Sequence, residues 1–134
     1  MSEIEINTSP EKLDVNFITN FISNSYWAKG RTVDQMKICI SNSVNFGVYK
    51  NGKQIGYARV VTDFFQFAYI MDLFIDENER GNGYSKILMQ HILEYEPIKN
   101  IKVWRLATSD AHGLYEKFGF GKLSNPEKIM EKLT

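Results

Sequence analysis

The apolar positions of this chain follow two rhythms. Up to about residue 43 they recur at helical spacing, the mark of a helix with one buried face. Leu13, Phe17, Ile18, Phe21 and Ile22 form such a stripe. Ser9 followed by Pro10 offers a cap and a first-turn proline, so a helix is expected over 10–22. A short strand over 3–7 precedes it, and a second helix is expected from Thr32 to about Ser41. Between the helices, residues 25–31 read Ser-Tyr-Trp-Ala-Lys-Gly-Arg, irregular and rich in large side chains.

From residue 45 the rhythm becomes that of strands. Runs over 45–50 and 54–62 flank Asn51-Gly52, a strong hairpin signal because both residues tolerate positive φ. The next run, 67–75, is nearly all apolar, as a central strand covered on both faces would be. Tyr84, Ile87, Leu88, His91, Ile92 and Tyr95 then predict a helix over 82–95, stopped by Pro97. A strand over 101–107 follows, and Thr108-Ser109-Asp110 caps a short helix over 111–117. A closing strand after Phe118-Gly119-Phe120 and a last strand over 128–133 complete the chain. The order is β-α-α-β-β-β-α-β-α-β-β, antiparallel strands first and one βαβ unit after them. That is an α/β protein built on a mixed sheet rather than a doubly wound one.

Composition narrows the classes. At 134 residues the natural expectation is one domain over 1–134. Sixteen basic residues balance sixteen acidic ones, which removes the basic excess usual in nucleic-acid binders. Cys39 is the only cysteine, so no internal disulfide can form, as suits a reducing compartment. It reads as a small hydrophobe rather than a nucleophile. The first residues, Met1-Ser2-Glu3-Ile4-Glu5-Ile6, lack a signal-peptide layout, and no stretch reaches the roughly 18 apolar residues a membrane helix needs. A cytoplasmic protein with no membrane segment is expected.

Candidate chemistry concentrates in Arg80-Gly81-Asn82-Gly83-Tyr84-Ser85, a glycine-bearing turn between a strand and a helix. Such a turn holds phosphate: the first helical N–H groups are free, the helix dipole favours negative charge, and glycine removes the Cβ that would block approach. The P-loop string is absent. The dinucleotide fingerprint fails at its third glycine, where Lys86 stands, and a doubly wound context is missing. The remaining pattern, Arg/Gln-x-x-Gly-x-Gly/Ala, fits with Ser85 in the final place.

Together with residues 73–79 leading into the loop, and Ala111-His112-Gly113-Leu114-Tyr115-Glu116-Lys117-Phe118-Gly119-Phe120 downstream, this chain resembles the GNAT family of N-acetyltransferases. The resemblance is carried by roughly 44–134. It implies the acyl-CoA N-acyltransferase fold and transfer of acetyl from acetyl-CoA to an amine by direct attack in a ternary complex, with no metal. The pyrophosphate would lie on the backbone of Arg80, Gly81, Asn82, Gly83, Tyr84 and Ser85, with Lys86 nearby. Leu73, Phe74 and Ile75 would meet the pantetheine arm. The strand carrying them would splay from the next one, and a backbone N–H, at Ile75, would polarise the thioester carbonyl. Two positions depart from the pattern: Ser85 replaces glycine or alanine, and Thr108 stands where many members have asparagine on the donor side.

Tyr115 falls on the tyrosine proposed in the family to protonate the leaving thiolate. For the base, Asp72, His112 and, through water, Tyr69 are candidates. His112 is three residues from Tyr115 on one helix, and Asp72 interrupts an apolar run, which marks a site or an ion pair. His91, on the inner stripe, reads as structural. Arg59 and Asp63 either pair with each other or face the cleft. Tyr26, Trp27 and Arg31, from the segment flanking the cleft, are the candidates for holding the acceptor. The expected partner is an amine, small molecule or peptide, and a homodimer is a common family arrangement. Two other classes stay in view: a catalytically silent CoA-binding module and a nucleotide-binding protein.

Overall fold

The computed structural model describes residues 4–134, so Glu3 of the expected first strand lies outside the described residues. The sheet begins with β1 (Ile4–Asn7) and continues through β2 (Val44–Lys50), β3 (Lys53–Thr62), β4 (Phe67–Ile75) and β5 (Val103–Arg105). Its spatial order is the chain order. The first four strands are antiparallel neighbours, and β5 joins β4 in parallel. Asn51 and Gly52, at φ 51° and 85°, make the tight turn between β2 and β3.

Helices cover both faces. On one lie α1 (Val15–Ser23) and α2 (Val33–Ser41), whose Ile18, Ile22, Met36 and Ile40 pack with Tyr57 and Phe74 of the sheet. Phe74 stacks on Phe21 at a centroid distance of 3.9 Å. On the other face α3 (Tyr84–Glu94) and α4 (His112–Glu116) bring Leu88, Met89, Ile92 and Tyr115 onto Phe46, Val48, Ala58, Val60, Ala68 and Ile70. Burying each large apolar side chain contributes about 1.5–3 kcal/mol, so these two cores hold the three layers together. Thr32 and Gln35 close a reciprocal capping box at the start of α2.

A bulge in β4 decides where its side chains go. Tyr57 pairs with Phe74 and Arg59 with Met71, so β4 carries one residue more than β3 between those pairs. Asp72 takes φ 55° there. One extra residue inverts the alternation of a strand. Ala68 and Ile70 accordingly face α3, whereas Phe74, of the same parity, faces α1. The run that reads as uniformly apolar is thus an alternating strand whose phase changes at Asp72.

Several expected boundaries move. Pro10–Lys12 is a single 3-10 turn, and the first helix starts afresh after Asp14, whose carboxylate accepts the Phe17 N–H at 3.0 Å. The inner stripe of α3 is Leu88, Met89 and Ile92; Ile87 and His91 are exposed. That overturns the structural role read for His91. The strand expected over 101–107 shortens to three residues. Among the described residues, neither closing strand forms after Phe118. Residues 121–134 are exposed and hold only a 3-10 turn, Pro126–Lys128. Gly119 at φ 91° breaks the extended run, and Leu123, Ile129, Met130 and Leu133 lie exposed on no strand edge.

Candidate active site

β4 and β5 separate after a short pairing. Only Phe67–Val103, Ala68–Trp104 and Tyr69–Arg105 are in register. Beyond Tyr69, β4 runs on to Ile75, while the chain after Arg105 turns away toward α4. The gap is a cleft of about 410 Å³. Tyr26, Trp27 and Arg31 line it from the α1–α2 loop, Tyr69 to Leu73 from β4, Leu106 to Ala111 from the segment after β5, and Tyr115 from α4. The expected splay between these strands is therefore present, as is the convergence of the α1–α2 loop on it.

A second hollow, of about 290 Å³, surrounds the glycine-bearing turn. Ile75, Glu79, Arg80, Gly81, Gly83, Tyr84, Ser85, Lys86, Leu114 and Lys117 line it. Gly81 and Gly83 sit at φ 82° and 78°, a region that L side chains rarely adopt, and a Cβ on either would meet nothing within 4 Å. Gly83 precedes the first turn of α3, and the first bond into that turn is Ile87 N–H to the Gly83 carbonyl at 3.3 Å. The N–H groups of Tyr84, Ser85 and Lys86 lack intrahelical acceptors by helix geometry. Arg80 is tied to the end of β4, its Nε donating to the Ile75 carbonyl at 3.3 Å. The cleft and the hollow are lined by near neighbours on two elements: Leu73 lines the cleft and Ile75 the hollow, as do Tyr115 and Leu114 on α4.

The hollow is electropositive. Lys117 stands beside Lys86, and that neighbour pushes its ammonium below the usual lysine range. An anion between the two lysines would relieve their repulsion. Sequence reasoning passed over Lys117, although it lies three residues from Leu114 and so shares its face of α4. The Asn82 side chain turns back, donating to the Glu79 carbonyl at 3.0 Å. Phe74 lines neither the cleft nor the hollow, its ring being buried against Phe17 and Phe21.

Asp72 is the hub of the cleft's inner wall. Its Oδ1 accepts from Trp27 Nε1 at 2.9 Å; its Oδ2 accepts from Arg31 at 2.7 Å and from Arg59 Nε at 2.6 Å. The carboxylate is fully buried. The bulge is what aims it: the inverted phase puts Asp72 on the face of Arg59 and of the α1–α2 loop. Arg59 therefore pairs with Asp72. Asp63, the partner considered from sequence, instead accepts the backbone N–H groups of Phe65, Gln66 and Phe67 in its own turn.

Tyr115 is buried where α4 meets the cleft, and burial pushes its phenol up to about 12, with Tyr26 and Asp110 adding to the shift. It is a proton donor at neutral pH. Tyr26 spans the cleft mouth: its hydroxyl accepts the Ser109 N–H at 3.3 Å, and its ring meets Trp27 edge-on at 5.1 Å. Thr108 lines the cleft while its hydroxyl accepts the Ala111 N–H at 3.0 Å; the cap of α4 falls at Ala111, later than the expected Thr108–Asp110, and carries no side-chain bond. His112, by contrast, is exposed at the first position of α4 and does not line the cleft. Asp110, an exposed carboxylate at the mouth, was read only as part of a cap. Among the described residues, no cluster of three or more His, Cys, Asp or Glu side chains is placed to hold a metal, and no helix is long and apolar enough to cross a membrane.

The sequence profile of the acetyltransferase (GNAT) family matches residues 16–120. A Gibberella zeae protein whose name proposes acetyltransferase activity is 25% identical over 133 residues, covering 84% of this chain and 75% of that one. A solved structure from Xanthomonas campestris, described as belonging to the GNAT family, superposes with a TM-score of 0.95 at 34% identity, covering 98% of this chain and 94% of that one. A Clostridium acetobutylicum protein crystallised with acetyl-CoA shares the fold, with a TM-score of 0.70 at 16% identity over 99% of this chain and 96% of that one. A splayed parallel strand pair beside a glycine-bearing helix start, a profile spanning most of the chain and a near-complete structural match agree: the chain belongs to the GNAT family of acetyltransferases.

Proposed function

We propose that the protein transfers the acetyl group of acetyl-CoA to a primary amine by direct attack in a ternary complex. One observation carries this reading: the cleft between β4 and β5 lies next to the lysine-bearing hollow at the start of α3, with Tyr115 lining the cleft and its neighbour Leu114 the hollow. The acetyl-CoA bound to the Clostridium acetobutylicum relative of the same fold supports it.

The donor would lie along β4. Its phosphates meet the N–H groups of residues 81–86, with Arg80, Lys86 and Lys117 around them, and its arm runs beside the backbone of Leu73, Phe74 and Ile75, which no longer pairs with β5. The thioester enters the gap, where a free β4 N–H polarises its carbonyl. The amine nitrogen attacks the carbonyl carbon, a C–N bond forms and the C–S bond breaks. Tyr115 gives its proton to the departing sulfur as negative charge develops there.

Asp72 is not the base in this scheme. Three donors, two of them cationic, occupy both of its oxygens. It is a positioning residue that fixes Trp27 and Arg31. His112 lies away from the reacting atoms. The acceptor loses its proton to water at the mouth, where Tyr69 and Asp110 line opposite walls.

The test is thiol release from acetyl-CoA across a panel of primary amines, with the acetylated product identified by mass spectrometry. Amine-dependent release matched by product supports the proposal. Tight acetyl-CoA binding without turnover across the panel would favour a silent CoA-binding module.

A further inference from the structure

The inner wall of the cleft carries a charge imbalance. Asp72 supplies one carboxylate, and Arg31 and Arg59 supply two guanidinium groups to it. The wall keeps one net positive charge in a setting where Asp72 is fully buried and Arg59 is 7% exposed. Arg59 is satisfied further by Ser43 at 3.2 Å. Arg31 is different. It gives one nitrogen, Nη1, to Asp72 at 2.7 Å, with a weak 3.9 Å contact to the Met36 sulfur, and its side chain is 18% exposed on the cleft wall. Among the described residues the only buried side-chain polar atom without a partner is Thr19 Oγ1, so the remaining N–H groups of Arg31 reach solvent. A guanidinium held by a buried carboxylate, with a free edge in an aromatic-walled cleft, is preorganised for a carboxylate.

The opposite wall has the other sign. Asp110 is exposed there, beside the Ser109 N–H that Tyr26 caps. It would repel a wholly anionic acceptor and attract an ammonium. The cleft is also small for two reactants: about 410 Å³ must admit both the thioester and the acceptor, beneath the Tyr26 strap.

Resting on the N-acetyltransferase reading above, we infer that the acceptor is a small amine that also carries a carboxylate. Arg31 holds the carboxylate, Asp110 draws in the ammonium end, and Tyr26 and Trp27 flank the carbon chain between them. Arg31 is thereby a specificity-determining residue, and Asp72 and Arg59 act through it.

The experiment compares primary amines of matched carbon skeleton with and without a terminal carboxylate, using wild-type protein and the variants Arg31→Gln and Arg31→Lys. Acetyl-CoA affinity and circular dichroism report that each variant is folded. In the wild type the carboxylated amine should have a kcat/KM at least about tenfold above its neutral match, the scale of a charge-assisted hydrogen bond. Arg31→Gln should bring the two within about twofold of each other, mainly by raising KM for the carboxylated amine. Arg31→Lys should keep part of the preference, because it retains the charge without the fork. Equal use of both amines by the wild type overturns the inference and leaves acetyl transfer standing. An unaltered preference in folded Arg31→Gln also overturns it. Acetyl-CoA binding with no amine used at all overturns the underlying function and the inference with it. Should Arg31→Gln not fold, the wild-type comparison and Arg31→Lys still decide.

Discussion

Arg59 and Asp72 face each other across β3 and β4, Nε to Oδ2 at 2.6 Å, with side chains 7% and 0% exposed. The contact exists because β4 bulges at Asp72. Without the extra residue the carboxylate would keep the phase of Ala68 and Ile70 and enter the α3-side core. The same pair anchors the inner wall of the cleft, since Trp27 and Arg31 reach Asp72 from 45 and 41 residues upstream.

Asp72→Ala should therefore destabilise the fold strongly. It leaves Arg59 buried without a counter-charge and frees the α1–α2 loop, a loss of about 3–5 kcal/mol. Urea unfolding of the variant against wild type measures it. A loss under about 1 kcal/mol would show that the cluster does not hold the loop.

The paired lysines of the hollow predict a binding effect with no catalytic one. Lys86→Ala and Lys117→Ala should each weaken acetyl-CoA binding roughly threefold to tenfold, a range set by charged hydrogen bonds discounted for exposure. Salt should shrink the difference. The rate at saturating acetyl-CoA should stay the same. Calorimetric titration at two ionic strengths checks the first part and a saturation curve the second.

Much of this was legible in the chain. Asn51-Gly52 marked its hairpin, 67–75 marked β4 to the residue, and Arg80 to Ser85 marked the turn into α3 because its glycines serve a local backbone need. The inner wall of the cleft was half legible: Tyr26, Trp27 and Arg31 could be named as a group, but Asp72 as the shared partner of Trp27 and Arg31 could not, since a bulge is a matter of register between strands and not of local pattern. The closing strands were misread for the opposite reason. Leu123, Ile129, Met130 and Leu133 have strand-like chemistry, but a β5 of only three residues offers them little edge to extend. His112 was misplaced because spacing of three residues puts two side chains near one another without putting both in the cleft.

The pH profile follows from Tyr115. Burial raises its phenol to about 12 in the folded state, above the value near 10 of an unfolded chain. Its contribution to stability is therefore fully present below about pH 10 and is lost as pH climbs toward 12, because the unfolded chain releases the proton first. Below pH 10 the phenol remains a proton donor, so it should impose no descending limb on the rate. The kcat/KM profile should rise toward the pKa of the acceptor amine and then level. A descending limb below about pH 10 that disappears in Tyr115→Phe would contradict this.

Tyr115 is also where the account is most directly tested. Tyr115→Phe keeps the ring that packs at 6.2 Å from Phe120 and removes only the proton donor. The single-turnover rate of acetyl transfer should fall by at least about tenfold, with acetyl-CoA affinity unchanged. A Tyr115→Phe protein that binds acetyl-CoA normally and transfers acetyl at the wild-type rate would contradict the proposed chemistry of the cleft.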